Sequence, residues 1–175
     1  MILYAIPYDT EKNIGKFYNK IMELLPNDDD YACFVDGDTI FTTSNYGNII
    51  QNIVSANPEV GCFTCMTNRV NCPWQLAPGV NKETNDILYH RDFGKKLHEI
   101  YKETTTPIVQ GKHSLMSGML MLVKKSAWKK AGNFLNAGFL GVDNDFHRKL
   151  INAKQPIHTM NGVYVYHWYR NKFKH

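Results

Sequence analysis

The stretch YACFVDGDTIFTT, residues 31–43, decides how the chain is read. Its first five residues are an apolar run with the length of a fully buried strand. Two carboxylates one residue apart, Asp36 and Asp38, close the run, and a hydroxyl-rich segment follows. In an open α/β sheet, ligands collect outside the carboxyl ends of the strands. The pair therefore stands where a ligand would. Carboxylates this close on a turn repel each other unless a cation lies nearby. Hard oxygen donors suit Mg2+ or Mn2+, ions that also take phosphate oxygens. A solvated acidic turn is the plain alternative, because so short a motif recurs by chance.

Upstream, ILYAIP (2–7) reads as a short buried strand stopped by Pro7, with the turn YDTEKN after it. NIGKFYNKIMELLP (13–26) spaces Ile14, Phe17, Ile21, Leu24 and Leu25 as a helix that Pro26 ends. The polar turn NDDD leads back into the apolar run. Strand, helix and strand with short connections point to a parallel pair with a right-handed crossover.

Downstream, the pattern predicts a helix over 46–58, a buried strand over 59–67 and a long loop over 68–85, the class of loop that often carries function. A helix over 86–103 follows, with Ile87, Phe93, Leu97, Ile100 and Tyr101 on its apolar side. Strands are expected at 107–110 and 118–123, helices from Ser126 and over 143–153, and an extended aromatic segment over 156–170. The class is α/β around a mixed, mostly parallel sheet. Residues 1–169 read as a single domain and 170–175 as a basic tail.

A chain of 175 residues buries roughly 70% of its unfolded surface. Twenty Lys and Arg against 16 Asp and Glu leave a net charge of +4. That mild excess suits a small anionic ligand such as a nucleotide and is too weak for a nucleic-acid groove. No stretch approaches the roughly 18 apolar residues of a membrane span, and the first ten residues lack the basic lead of a signal peptide. The expectation is a soluble, cytoplasmic protein that binds no nucleic acid. Cys62 and Cys65 form a CxxC, but no second pair completes a zinc site, so reduced and partly buried thiols are expected.

Two further features matter. Asp143 and Asp145 fall at a helix start, where acidic residues also act as caps and dipole partners. His167 sits in the closing aromatic strand, where a lone histidine is ordinarily a core or surface residue.

Together with FVDGD (34–38), these features form an ordered set. NIGKFYN supplies Asn13, Gly15 and Asn19, VKKSAWKKAGNF supplies Gly132 and Phe134, and VDNDFHRKL and VYVYHWY follow. In this order the motifs resemble family 2 glycosyltransferases of the GT-A fold, over almost the whole chain. Only YDTEK separates the first strand from the N-x-G helix, so the resemblance is to a shortened version. Val142 also stands where the family often has Glu.

The resemblance implies a GT-A-like (Rossmann-like) sheet and an inverting transfer of sugar from a UDP- or GDP-linked donor to a glycan or other hydroxyl acceptor. It implies Mn2+ or Mg2+ held by Asp38 and His167, with Asp36 toward the ribose. Asp143 takes the general-base position, partly desolvated so that it is basic enough. Pro7, Tyr8 and Asp9 are candidates for the base and ribose, Asn13 for the phosphates and Arg69 for the diphosphate or donor sugar. Asp145 and Trp168 fall on the acceptor side.

Two rivals remain. A haloacid-dehalogenase-like phosphatase would use Asp36 as nucleophile and Asp38 as acid/base, supported by Lys124 or Lys125 and Asp143. A sugar-nucleotide-binding module would keep the fold without the chemistry.

Overall fold

Residues 1–109, 113–136, 138 and 140–168 are described by the computed structural model; the expected tail at 170–175 and the end of the strand expected at 107–110 lie outside them. The chain opens with strand β1 (Ile2–Ala5), helix α1 (Ile14–Leu24) and strand β2 (Tyr31–Val35). β1 and β2 pair in parallel, Ile2 opposite Tyr31. Asn13 caps α1 by accepting the Lys16 amide at 3.1 Å, and the chain leaves the helix at Leu25, before Pro26. A capped start and a proline stop explain why the sequence bounds this helix closely.

β3 (Thr39–Phe41), α2 (Tyr46–Ala56), β4 (Cys62–Thr67) and α3 (Ile87–Tyr101) come next. They are followed by β5 (Thr105–Pro107), β6 (Leu120–Lys124), α4 (Lys125–Ala131), α5 (Val142–Asn152) and β7 (Ile157–His167). The sheet runs β1-β2-β6-β4-β7-β3, with β5 also on β7. It is mixed, as expected, but it is not mostly parallel. Among the described strands, β1–β2 and β4–β7 pair in parallel, while β2–β6, β4–β6, β3–β7 and β5–β7 are antiparallel. β6 lies between β2 and β4 and runs against both. A continuous apolar run reports burial on both faces, and β6 has that burial in either direction.

Alternation along the strands divides the core. Ala32 and Phe34 of β2 pack with α1, α4 and α5, through residues such as Met22, Trp128 and Phe146. Tyr31, Cys33 and Val35 pack on the other side with Ile49, Ile50 and Ile53 of α2. Helix α3 departs from the sequence reading. Its buried side chains are His90 and Leu97, with Gly94 between them, and Ile100 is 71% exposed. A Cβ on Gly94 would sit 2.1 Å from Thr42 Oγ, so the missing side chain is what seats this helix. β5 ends at Pro107, where the strand was expected to begin. Proline has no amide to donate, which suits the last position of a strand on an edge.

Candidate functional site

The carboxylate pair sits on a tight turn between β2 and β3. The Asp36 amide continues the β2–β6 ladder to the Met119 carbonyl at 3.0 Å, and the Thr39 amide closes the turn on the Asp36 carbonyl at 3.0 Å. The Thr39 hydroxyl donates to the same carbonyl at 2.7 Å. Threonine thus locks the turn that bears both carboxylates.

The three-residue strand β3 then brings in the third member. It pairs antiparallel with the end of β7, Thr39 opposite His167, and the Trp168 amide donates to the Asp38 carbonyl at 2.8 Å. Asp36, Asp38 and His167 consequently offer ligand atoms that all lie within 4.8 Å of one another. His167 is oriented from behind. Its Nδ1 lies 2.9 Å from the Arg69 carbonyl. A carbonyl only accepts, so Nδ1 carries a proton, and Nε2 is the nitrogen that faces Asp38 Oδ1, at 3.4 Å. A lone pair directed at a carboxylate is relieved by a proton or by a cation between them. Asn68, buried at 2% exposure, grips the backbone of His167 on both sides. Its Oδ1 accepts the His167 amide at 2.8 Å and its Nδ2 donates to the His167 carbonyl at 3.2 Å.

Electrostatics point the same way. Burial, reinforced by the charges of Asp38 and Asp143 and opposed by His167, pushes the Asp36 carboxyl up to about 6. The residues present fit a divalent ion: two carboxylates and one imidazole, with the second nitrogen of the imidazole tied down. This mixture of hard and borderline donors suits Mn2+ in particular.

Asp143 faces the same cleft, which has a volume of about 750 Å³ and is also lined by Pro7, Asp36, Asp38 and Trp168. That volume lies in the range of roughly 300–1,000 Å³ typical of small-molecule sites. Gly141 precedes α5 at φ +81°, a conformation glycine adopts without strain, and Asp143 occupies the first turn. Its Oδ2 accepts the Gly118 amide and its Oδ1 the Asn144 amide, both at 2.8 Å. A Cβ on Gly118 would lie 2.9 Å from the Asp143 Cβ, so this wall is closed around the carboxylate.

No protein-family model matches the chain, and no curated protein matches it.

The other expected site residues are distributed as follows. Pro7 and Trp168 line the cleft; Tyr8, Asp9, Asn13, Arg69 and Asp145 do not. Asp9 accepts the Glu11 amide at 2.7 Å and the Asn13 amide at 3.2 Å, a local turn that feeds α1. Asn13 caps α1 and reaches Asn136 Oδ1 at 3.2 Å, and Asn19 accepts the Phe134 amide and the Trp128 indole, each at 2.9 Å. Gly15 allows the same close contact, since a Cβ there would lie 1.8 Å from the Leu135 carbonyl oxygen. The N-x-G helix therefore holds the loop that leads into α5. Arg69 donates to the Lys82 carbonyl at 2.5 Å and lies 3.9 Å from Glu83. Asp145 pairs with Lys149 at 2.9 Å, one helical turn on.

Lys124 is registered opposite Tyr31, at the other end of β2 from Asp36, and pairs with Asp29 at 2.7 Å. Lys125 Nζ donates to the Leu25 carbonyl, so both lysines that the phosphatase reading named are engaged away from Asp36. Cys62 and Cys65 are free and buried, but they belong to the cores on opposite faces of the sheet. They do not converge on one metal.

Sequence reasoning missed Asn68, Tyr18 and the segment 116–118. Tyr18 is buried and lines the cleft. Burial and the nearby Asp36 and Asp143 charges push its hydroxyl well above the usual phenol range. A polar residue in a loop and an aromatic on an apolar helix face carry no sequence signal for such roles.

Proposed function

We propose that the protein is a metal-dependent glycosyltransferase that moves a sugar from a UDP- or GDP-linked donor to an acceptor hydroxyl, with inversion. The observation that carries this reading is the cluster of Asp36, Asp38 and His167 beside a cleft that Asp36, Asp38 and Asp143 all line. Asp38 and His167 would hold Mn2+ or Mg2+, and a bound ion supplies positive charge for the donor diphosphate. Asp36 faces the ribose side. Asp143 takes the acceptor proton on whichever oxygen the incoming hydroxyl approaches. Each of its oxygens already accepts one backbone amide, which orients the carboxylate and leaves a lone pair on each atom. The acceptor oxygen attacks the anomeric carbon from the face opposite the leaving diphosphate, which inverts the centre.

Among the described residues no helix is long and apolar enough to cross a membrane. The four free, buried cysteines fit the reducing cytoplasm of the proposal. The test is a screen of UDP- and GDP-sugars with Mn2+, following release of the nucleoside diphosphate. Asp143→Asn is expected to lower turnover by roughly 100-fold or more while leaving metal-dependent nucleotide binding in place. Turnover unaffected by Asp143→Asn would refute the assigned base. Binding without turnover of any donor would favour the non-catalytic module.

A further inference from the structure

The cleft has a one-sided charge. Three carboxylates, Asp36, Asp38 and Asp143, line it, and among its described lining residues there is no Lys or Arg. Near Asp143 the wall instead carries neutral hydroxyls. Tyr18 is anchored by ring contacts to Phe34 and Phe134, with centroids 4.4 and 4.9 Å away. Ser117 lines the cleft from a backbone clamped by buried Gln75, whose Oε1 accepts the Ser117 amide at 2.7 Å and whose Nε2 donates to the Ser117 carbonyl at 3.2 Å. The neighbouring amides are taken up as well. Met116 donates to His147 Nδ1 at 3.1 Å and Gly118 to Asp143. The segment 116–118 is therefore a fixed wall, and Ser117 and Gly118 line the cleft from it. Trp168, 46% exposed, supplies an apolar face held through its own amide.

We infer that the subsite facing Asp143 takes an uncharged pyranose and rejects sugars that carry a carboxylate or phosphate. Tyr18 and Ser117 present hydroxyls to it, and Trp168 is its stacking platform. This deepens the proposed function and rests on it. A neutral polyol satisfies hydroxyls and carboxylates without adding charge. An anionic substituent within a few ångströms of Asp143 meets like charge there, and no Lys or Arg among the described lining residues offsets it. At an intermediate effective dielectric this weakens binding on the order of 10-fold or more, even after screening by salt. The elevated Tyr18 hydroxyl keeps its proton at neutral pH and so remains available as a donor.

The experiment is an NMR titration of the intact protein, in the presence of Mg2+, with methyl glucoside, galactoside and mannoside and with the matching methyl uronides. At least one neutral pyranoside is expected to bind, with its uronide at least ~10-fold weaker. Asp143→Asn should narrow that ratio. Tyr18→Phe should weaken the neutral sugar ~5-fold, as loss of one hydrogen bond does, with an unchanged circular dichroism spectrum. Uronides that bind as well as the neutral sugars, a ratio unchanged in Asp143→Asn, or no binding by any member at tens of millimolar would each overturn the inference. Titrating UDP and GDP into the same samples separates the two readings. Nucleotide binding without pyranoside binding removes only the neutral-sugar subsite, and loss of both removes the donor site as well.

Discussion

The cleft holds two acidic loci in opposite physical states. At the β2–β3 turn, Asp36 is half-buried, faces Asp38 and is pushed up to about 6. At the start of α5, Asp143 has a backbone amide on each oxygen, from Gly118 and Asn144, and lies at the positive end of a helix. One locus carries negative charge without compensation, and the other has its charge met by fixed donors. The difference teaches how a single cleft divides its work. An uncompensated pair seeks a cation, and a carboxylate with one amide on each oxygen is held in a fixed orientation with a lone pair left on each atom.

The largest expected effect sharpens this contrast at the first locus. His167→Ala should weaken Mn2+ binding by roughly 100-fold or more, the scale of losing a ligand, whereas Asp143→Asn should change it only a few-fold. Calorimetric Mn2+ titrations of both variants check this, and equal losses would erase the distinction.

The second prediction concerns stability without metal and carries opposite signs at the two loci. Well below the ordinary carboxylate value of 3.8, Asp36 is protonated in folded and unfolded chains alike. As pH rises through about 6 the folded chain must ionise it in a buried, like-charged place, so this contribution to stability is lost. Asp36→Asn should therefore stabilise the metal-free protein at pH 7 by about 3 kcal/mol and have little effect near pH 3.5. Asp143→Asn should instead destabilise it by about 1 kcal/mol, through weaker bonds to the two amides. Urea denaturation at the two pH values measures both, and matching signs at pH 7 would break the comparison.

A third test reaches the support behind the cluster. Asn68→Ala should weaken Mn2+ binding about 10-fold, as losses behind the first ring of ligands commonly do, because both backbone groups of His167 lose their partner. The smallest effect is expected at the turn. Thr39→Val removes the hydroxyl bond to the Asp36 carbonyl and should cost about 1 kcal/mol of stability by the same denaturation assay.

Much of the frame is legible in the residues. β2 falls on the apolar run Tyr31–Val35, and α1 lies between an asparagine cap and a proline. The cluster is legible only as a list of residues. What assembles it is β3, Thr39–Phe41, a strand of three residues too short to show alternation. Its antiparallel pairing with β7 brings His167 to Asp38 across more than a hundred residues of chain. The direction of β6 is equally silent, because its burial is the same either way up. Asp9 and Asn13 show the reverse limit. Their side chains are the types that cap turns and helices, and local capping is what occupies them here.

The central claim is that Asp36, Asp38 and His167 hold a divalent ion against a nucleotide diphosphate. Calorimetric titration of UDP and GDP, with and without Mn2+, into wild type and Asp38→Ala tests it most directly. The account predicts binding of at least one nucleotide that requires Mn2+ and disappears in Asp38→Ala. Nucleotide binding that is indifferent to Mn2+, binding that survives in Asp38→Ala, or failure of both nucleotides to bind with Mn2+ present would contradict it.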